Sequence, residues 1–97
     1  AAKHLPVAYL YLGNLYYGKS EYAPAEKYYR KSIEKDPGLA AAYNNLAWLL
    51  YSCGRNLGEA VTLARKAAEL DPSNETYRDT LARVREKMQQ EAEPAGR

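Results

Sequence analysis

Apolar residues recur along this sequence at the spacing of α-helices. In the clearest stretch, Tyr9, Leu12, Gly13 and Tyr16 follow the i, i+3, i+4, i+7 order that places side chains on one face of a helix. Glycine, serine and Asp-Pro breakers separate stretches of this kind, and no segment alternates as a β-strand would. The pattern predicts five helices, at residues 7–18, 23–35, 40–53, 58–70 and 74–91.

The pattern repeats itself at an interval of 34 or 35 residues. Asp36-Pro37 recurs as Asp71-Pro72, and Leu12-Gly13 corresponds to Leu46-Ala47. A helix–turn–helix unit of this length cannot bury its apolar face alone, so neighbouring units stack and share a continuous core. We therefore predict an all-α fold, an α-solenoid of stacked antiparallel helix hairpins. The predicted single domain, residues 1–97, contains a first repeat at 6–39, a second repeat at 40–74 and a capping helix at 75–92.

Small and aromatic residues at fixed points of the repeats define the expected core. Gly13, Ala25, Ala47 and Ala60 would let the paired helices approach closely, and a larger side chain at Ala47 would cost ~1–3 kcal/mol by overpacking. The tyrosines expected in the core are Tyr9, Tyr16, Tyr29 and Tyr43.

Composition and charge argue against several functional classes of protein. The sequence has few branched aliphatic residues, but its 10 tyrosines and single tryptophan supply large apolar surfaces for a core. The net charge of +2 gives no strong electrostatic case for nucleic acid or anionic lipid. No stretch approaches the ~20 apolar residues of a membrane span, and the first residues do not resemble a signal peptide. We expect no membrane span, and the compartment stays open.

Candidate catalytic and metal-binding residues are sparse. One histidine (His4) and one cysteine (Cys53) cannot build a zinc site, and a lone cysteine forms no internal disulfide. Cys53 falls near a predicted helix C-terminus, whose dipole does not favour a reactive anion. Asn74 opens a glycosylation sequon, but its place before the fifth helix favours a role as helix cap. We expect no cofactor, no metal and no catalytic activity.

The residues at these fixed points resemble the tetratricopeptide repeat. The first repeat carries signature residues at Tyr9, Leu12, Gly13, Tyr16, Ala25, Tyr29, Ser32 and Pro37. The second repeat carries them at Tyr43, Leu46, Ala47, Leu50, Ala60, Ala67 and Pro72. The resemblance covers about nine tenths of the chain and implies a right-handed superhelix.

The third repeat departs from the family pattern. It keeps only a first helix, with Leu81 and Ala82, and has Arg78 and Arg85 where apolar residues would be expected. Charge at these positions suits a capping helix, which has no further repeat to cover. Because the first repeat has no such cap, we also expect the chain to be a fragment or C-terminal part of a longer protein.

The resemblance implies a scaffold for protein–protein interaction rather than a catalyst. First helices of such repeats line a concave groove that holds an extended peptide or a helix of a partner. Carried over position by position, the groove residues are Val7, Leu10, Asn14 and Tyr17, then Asn44, Trp48 and Tyr51, and finally Thr76, Asp79 and Arg83. Tryptophan and tyrosine are typical anchors of such surfaces, although Trp48 could equally serve as a wall of the groove.

One branch of the family grips a C-terminal carboxylate with five polar residues. Only Asn14 and Asn45 match that set here, because Leu10, Thr76 and Thr80 stand at its three basic positions. A free carboxylate needs charge-assisted partners, so we expect an apolar or mixed peptide, or a helix, instead.

Two alternatives to peptide binding stay open. An apolar end that includes Leu5, Tyr11 and Leu15 would favour self-association into a homo-oligomer. RNA binding is less favoured, because the arginines of the last helix are interleaved with acidic residues and form no basic stripe.

Overall fold

The structure is a computed structural model that describes residues 4–92. Five α-helices follow one another: α1 (Leu5–Gly18), α2 (Tyr22–Lys35), α3 (Ala40–Cys53), α4 (Leu57–Leu70) and α5 (Glu75–Ala92). Within residues 4–92 there is no strand. All five predicted helices are confirmed, and each boundary lies within two residues of its predicted place.

Local chemistry explains where the helices begin and end. Pro24 lies in the first turn of α2, where its missing N–H leaves no helical bond unmade. After α2, the backbone N–H of Gly38 donates to Asp36 Oδ1 at 2.9 Å and closes a tight turn. Asn74 caps α5, because its Oδ1 accepts a hydrogen bond of 3.2 Å from the backbone N–H of Tyr77. The predicted cap is therefore confirmed.

The helices pack in sequence order as stacked hairpins. Helix α1 pairs with α2 and α3 pairs with α4, while α2 contacts α3 and α4 contacts α5. The first helices also touch one another, α1 with α3 and α3 with α5, so they form a layer of their own. The described molecule measures 55 × 30 × 18 Å, and its architecture is the predicted all-α solenoid.

Small residues bring the paired helices close together, as predicted. Ala25, Ala47 and Ala60 are fully buried. Gly13 is tighter still, because a Cβ placed there would lie 2.5 Å from two ring carbons of Tyr29. The Tyr29 ring therefore packs directly against the backbone of α1, which only glycine permits.

The two repeats differ in burial at equivalent positions. Leu46 of the second repeat is fully buried, whereas Leu12 of the first is 36% exposed. The prediction of a tyrosine core holds for Tyr29 and Tyr43, but Tyr9 and Tyr16 are only half-buried. The reason is position: α1 and α2 precede α3 and pack on it, while no described helix precedes α1.

Ion pairs link the first repeat to the second. Arg30 of α2 binds Glu59 of α4 at 2.7 Å and Glu26 of its own helix at 2.8 Å. Arg55, in the turn before α4, binds the other oxygen of Glu26. Burial raises the pKa of Glu26, but hydrogen bonds from Arg55 and Arg30 more than offset this and hold that pKa below its usual value. The carboxylate thus stays ionised at neutral pH.

None of the helices within residues 4–92 combines the length and apolar character required to cross a bilayer.

Candidate functional site

A cavity of about 340 Å³ opens on the layer of first helices. Its size falls at the low end of the ~300–1,000 Å³ typical of ligand sites. Helices α1, α3 and α5 supply eight of the nine lining residues, and α2 supplies one. They are Asn14, Tyr17, Tyr29, Asn44, Asn45, Trp48, Thr76, Asp79 and Thr80. This cavity is called the groove below.

A hydrogen-bond network fixes the amide side chains of the groove. Asn14 Oδ1 accepts two hydrogen bonds, from Tyr29 Oη at 2.7 Å and from Asn45 Nδ2 at 2.9 Å. Both donors meet the same oxygen, so the Asn14 amide is held in one orientation. Among residues 4–92 its Nδ2 has no hydrogen-bond partner, which leaves this N–H group available to a carbonyl of a ligand.

Tyr29 is the second-helix residue that orients this network. Its ring is 2% exposed and lies in the core, while its hydroxyl reaches the groove. Burial raises the pKa of the Tyr29 hydroxyl to about 12, so the group remains a proton donor at neutral pH.

Asn44 is the most enclosed amide of the groove. It is 8% exposed, and its Nδ2 donates a long hydrogen bond of 3.4 Å to Asn45 Oδ1. Asn44 Oδ1 accepts no hydrogen bond from any described residue. A buried carbonyl oxygen without a donor costs about 1–3 kcal/mol, so Asn44 Oδ1 is a local energetic cost in the wall of the groove.

Aromatic side chains form one wall of the groove. The Trp48 ring is half-buried and lies 4.9 Å from the Tyr51 ring, measured between centroids. Lys87 of α5 places its ammonium 4.9 Å from the Tyr51 centroid and donates to the Tyr51 carbonyl oxygen at 3.1 Å. Tyr51 is thereby engaged on its own helix and by α5, while Trp48 lines the cavity itself.

The lining of the groove contains one carboxylate. Asp79 is the only ionised side chain among its lining residues, and its Oδ2 accepts a hydrogen bond of 2.8 Å from Arg83 Nε. This bond and the negative charge of Asp79 raise the pKa of Arg83 above its usual value. Both side chains are more than half exposed, so this i,i+4 pair is easily rearranged by a ligand.

The structure brings together most of the predicted groove residues. Asn14, Tyr17, Asn44, Trp48 and Asp79 line the cavity, together with Thr76.

Four predicted residues lie elsewhere. Leu10 is 7% exposed and belongs to the core, so it offers no surface to a ligand, which corrects the expectation for that residue. Val7 is exposed but outside the cavity, Tyr51 packs behind Trp48, and Arg83 contacts the rim residue Asp79.

Three lining residues were not among the predicted groove residues. The family pattern places Asn45 and Thr80 only at positions of the carboxylate-binding set. The repeat pattern predicts Tyr29 in the core, which its buried ring confirms, but helical spacing does not indicate how far the hydroxyl extends beyond the core.

Histidine, cysteine and serine do not occur among the residues that line the groove. Cys53 is exposed at the end of α3, and no three His, Cys, Asp or Glu residues of the described chain converge on a metal-sized site.

Comparison with known proteins matches this architecture to one family. A model of the tetratricopeptide repeat matches residues 6–39, and a second model of the same repeat matches residues 28–62, from within α2 into α4. The chain is 41% identical over 61 residues to DnaJ homolog subfamily C member 7 of Mus musculus and to the Homo sapiens protein of that name. These alignments cover 63% of this chain but only 12% of either relative. The two repeat matches together span more than half of the sequence, and the stacked hairpins agree with them: the chain belongs to the tetratricopeptide-repeat family.

Proposed function

We propose that this chain is a non-catalytic interaction module that holds an extended segment or a helix of a partner protein in its groove. Family membership supports an interaction scaffold, and repeats of this family are typically non-catalytic. The observation that carries the proposal is the groove itself, about 340 Å³ between three first helices.

The groove offers apolar contacts and hydrogen bonds, the two kinds of interaction that hold a bound polypeptide. Trp48 and Tyr17 provide rigid aromatic surface, which loses little conformational entropy on binding. The fixed Asn14 amide offers an N–H donor to a backbone carbonyl of the ligand. Apolar anchors together with oriented amides are typical of surfaces that recognise peptides.

A random peptide library displayed on phage, selected on the purified chain, tests this function. Peptides from the selection are synthesised and titrated by calorimetry against wild type, Asn14→Ala and Trp48→Ala. We expect Trp48→Ala to weaken binding at least about ten-fold, because a buried aromatic anchor is a typical hot spot. The exposed Gln89, which lies outside the groove, gives the matched control Gln89→Ala.

Thermal unfolding of each variant separates loss of binding from loss of folding. If Asn14→Ala and Trp48→Ala remain folded and bind the selected peptides as wild type does, the groove is not the binding site and the proposal is wrong.

Self-association is the second candidate, favoured by the apolar end of the first repeat. Leu15 is 57% exposed, whereas Leu49, 34 residues later, is fully buried. Leu5, Tyr11, Leu12 and Tyr22 are exposed as well. We propose that a second copy of this chain covers that end, because the equivalent face of α3 is buried against the preceding hairpin.

Sedimentation equilibrium over a wide range of concentration tests this candidate. Wild type is expected to approach the mass of a dimer as its concentration rises, and Leu15→Lys is expected to remain monomeric. The control is Thr62→Lys, at an exposed residue of α4, which should leave the dimer intact. Wild type that stays monomeric at every concentration contradicts self-association.

A further inference from the structure

The first helix of the chain carries no charge and exposes apolar side chains to solvent. Helix α1 contains no aspartate, glutamate, lysine, arginine or histidine. Its large exposed residues are Leu5, Val7, Tyr11, Leu12 and Leu15. A contiguous apolar patch of this kind on a folded chain is typical of a surface that another molecule covers.

The opposite end of the solenoid has the reverse character. On the side of α5 away from the buried Val84, the exposed residues include Arg78, Arg85, Glu86 and Gln89. If this end stacked on α1 of another copy, these charges would be buried against apolar side chains without partners, which is unfavourable. Head-to-tail association is therefore disfavoured. A second copy that covers α1 is expected to do so with its own α1, in a dimer with two-fold symmetry.

Large and small side chains are arranged symmetrically along the exposed face of α1. Six residues at the i, i+3, i+4, i+7 spacing of one helix face are all exposed. They are Leu5, Ala8, Tyr11, Leu12, Leu15 and Gly18. We call these six residues the α1 stripe.

The order of sizes in the α1 stripe favours an antiparallel pair. In that direction Leu15 of one copy faces Ala8 of the other, and Leu5 faces Gly18, so each leucine meets a small residue. A parallel pair would set Leu15 against Leu15 and Ala8 against Ala8, which leaves voids beside the small residues. The helix dipoles also favour the antiparallel direction.

We propose that two copies of this chain associate through antiparallel α1 helices, with Leu15 of each copy against Ala8 of the other. This inference rests on the self-association proposed above and adds the surface, its direction and its register. The 14 residues of α1 span about 21 Å, so the contact is small and the dimer forms reversibly.

Exchange of charge between positions 8 and 15 tests the register. Ala8→Glu and Leu15→Lys should each weaken the homodimer at least about ten-fold, because each places a charge in an apolar contact. Ala8 and Leu15 are exposed in the single chain, so both variants should fold as wild type does. Circular dichroism and thermal unfolding check this.

An equimolar mixture of the two variants should recover association. In the mixed dimer the ammonium at position 15 of one copy meets the carboxylate at position 8 of the other, and the second contact between Leu15 and Ala8 is intact. We expect sedimentation equilibrium to show the mixed dimer at least about ten-fold tighter than the dimer of either variant alone. In a parallel pair, positions 8 and 15 would lie about 10 Å apart along the helix, so no recovery is expected.

A mixture of Ala8→Lys with Leu15→Lys is the matched control. It changes the same two positions but brings like charges together, so it should remain monomeric. Equal recovery in the control mixture would show that the charges do not meet, and it overturns the register.

The outcomes separate this inference from the self-association on which it rests. If wild type dimerises but the mixture of Ala8→Glu with Leu15→Lys stays as weak as its components, the chain self-associates and the antiparallel α1 pair is wrong. If wild type is monomeric at every concentration, both proposals are overturned.

Discussion

Tyr29 Oη of α2 donates a hydrogen bond of 2.7 Å to Asn14 Oδ1 of α1. The bond joins a residue whose ring lies in the core to an amide of the groove. Through it, the packing of the first hairpin sets the direction in which the Asn14 N–H group points. The core behind the groove thus fixes the orientation of the Asn14 amide. A substitution in the core should therefore alter ligand binding even where the substituted residue makes no contact with the ligand.

Tyr29→Phe tests this relationship. The ring packing against Gly13 is kept, but the hydrogen bond to Asn14 is lost, so the free energy of unfolding should fall by about 0.5–1.5 kcal/mol. Tyr11→Phe, at a side chain that is 66% exposed, should cause no measurable change. Urea denaturation of both variants gives the comparison, and equal effects would show that the bond contributes nothing.

The raised pKa of Tyr29 predicts a specific dependence on alkaline pH. Burial lifts this pKa from 10.0 to about 12, so the folded state favours the protonated hydroxyl. That contribution is fully present below pH 10 and is lost as pH rises towards 12. Over this window wild type should lose stability relative to Tyr29→Phe by roughly 1.4 kcal/mol per pH unit. Curves of unfolding free energy against pH that run parallel for the two proteins would contradict the raised pKa of Tyr29.

Gly13→Ala should destabilise the first hairpin. Its new Cβ would lie 2.5 Å from ring carbons of Tyr29, so the ring or the helix must move, at a cost of about 1–3 kcal/mol. Gly18 has no atoms within 4 Å of the equivalent position, and Gly18→Ala should not lower stability. Chemical denaturation distinguishes the two, and a tolerated alanine at position 13 would mean that the contact with Tyr29 is loose.

Leu46→Ala and Leu12→Ala form a matched pair at equivalent positions of the two repeats. Leu46 is fully buried, so its truncation leaves a cavity and should cost ~2–5 kcal/mol. Leu12 is 36% exposed, so Leu12→Ala should lower the free energy of unfolding clearly less, because much of the leucine surface already contacts solvent. Unfolding is measured at low protein concentration, with Gln89→Ala as a neutral reference. Equal losses would mean that the end of the first repeat is covered.

The carboxylate of Glu26 should contribute to stability in a manner that depends on pH and salt. Glu26→Gln removes its pairs with Arg30 and Arg55 and should cost about 0.5–1 kcal/mol at neutral pH in low salt. Because the pKa of Glu26 is lowered on folding, the advantage of wild type is present above the ordinary value of 4.5 and is lost as pH falls through the lowered one.

Glu34, an exposed residue of the same helix, provides the control Glu34→Gln. A difference between wild type and Glu26→Gln that is insensitive to acid and to salt would rule out the ion pairs as its source.

The sequence by itself determined the five helices and their repetition. Helical spacing and breakers such as Asp36-Pro37 act through neighbours in the chain, so they can be interpreted without a fold. The same spacing placed Asn14, Tyr17, Asn44, Trp48 and Asp79 on the face that lines the groove.

Only the tertiary structure decided which of the equivalent residues are buried and which polar atoms of the groove have hydrogen-bond partners. Leu10 differs from expectation, and Leu12 differs from its equivalent Leu46, because burial depends on what packs against a helix face and not on the residue's place in the pattern. The Tyr29 hydroxyl reaches Asn14 across a hairpin, and Asn44 Oδ1 is left without a donor, because both depend on distances between helices. Such distances are set by the packing of all five helices together, and no local pattern encodes them.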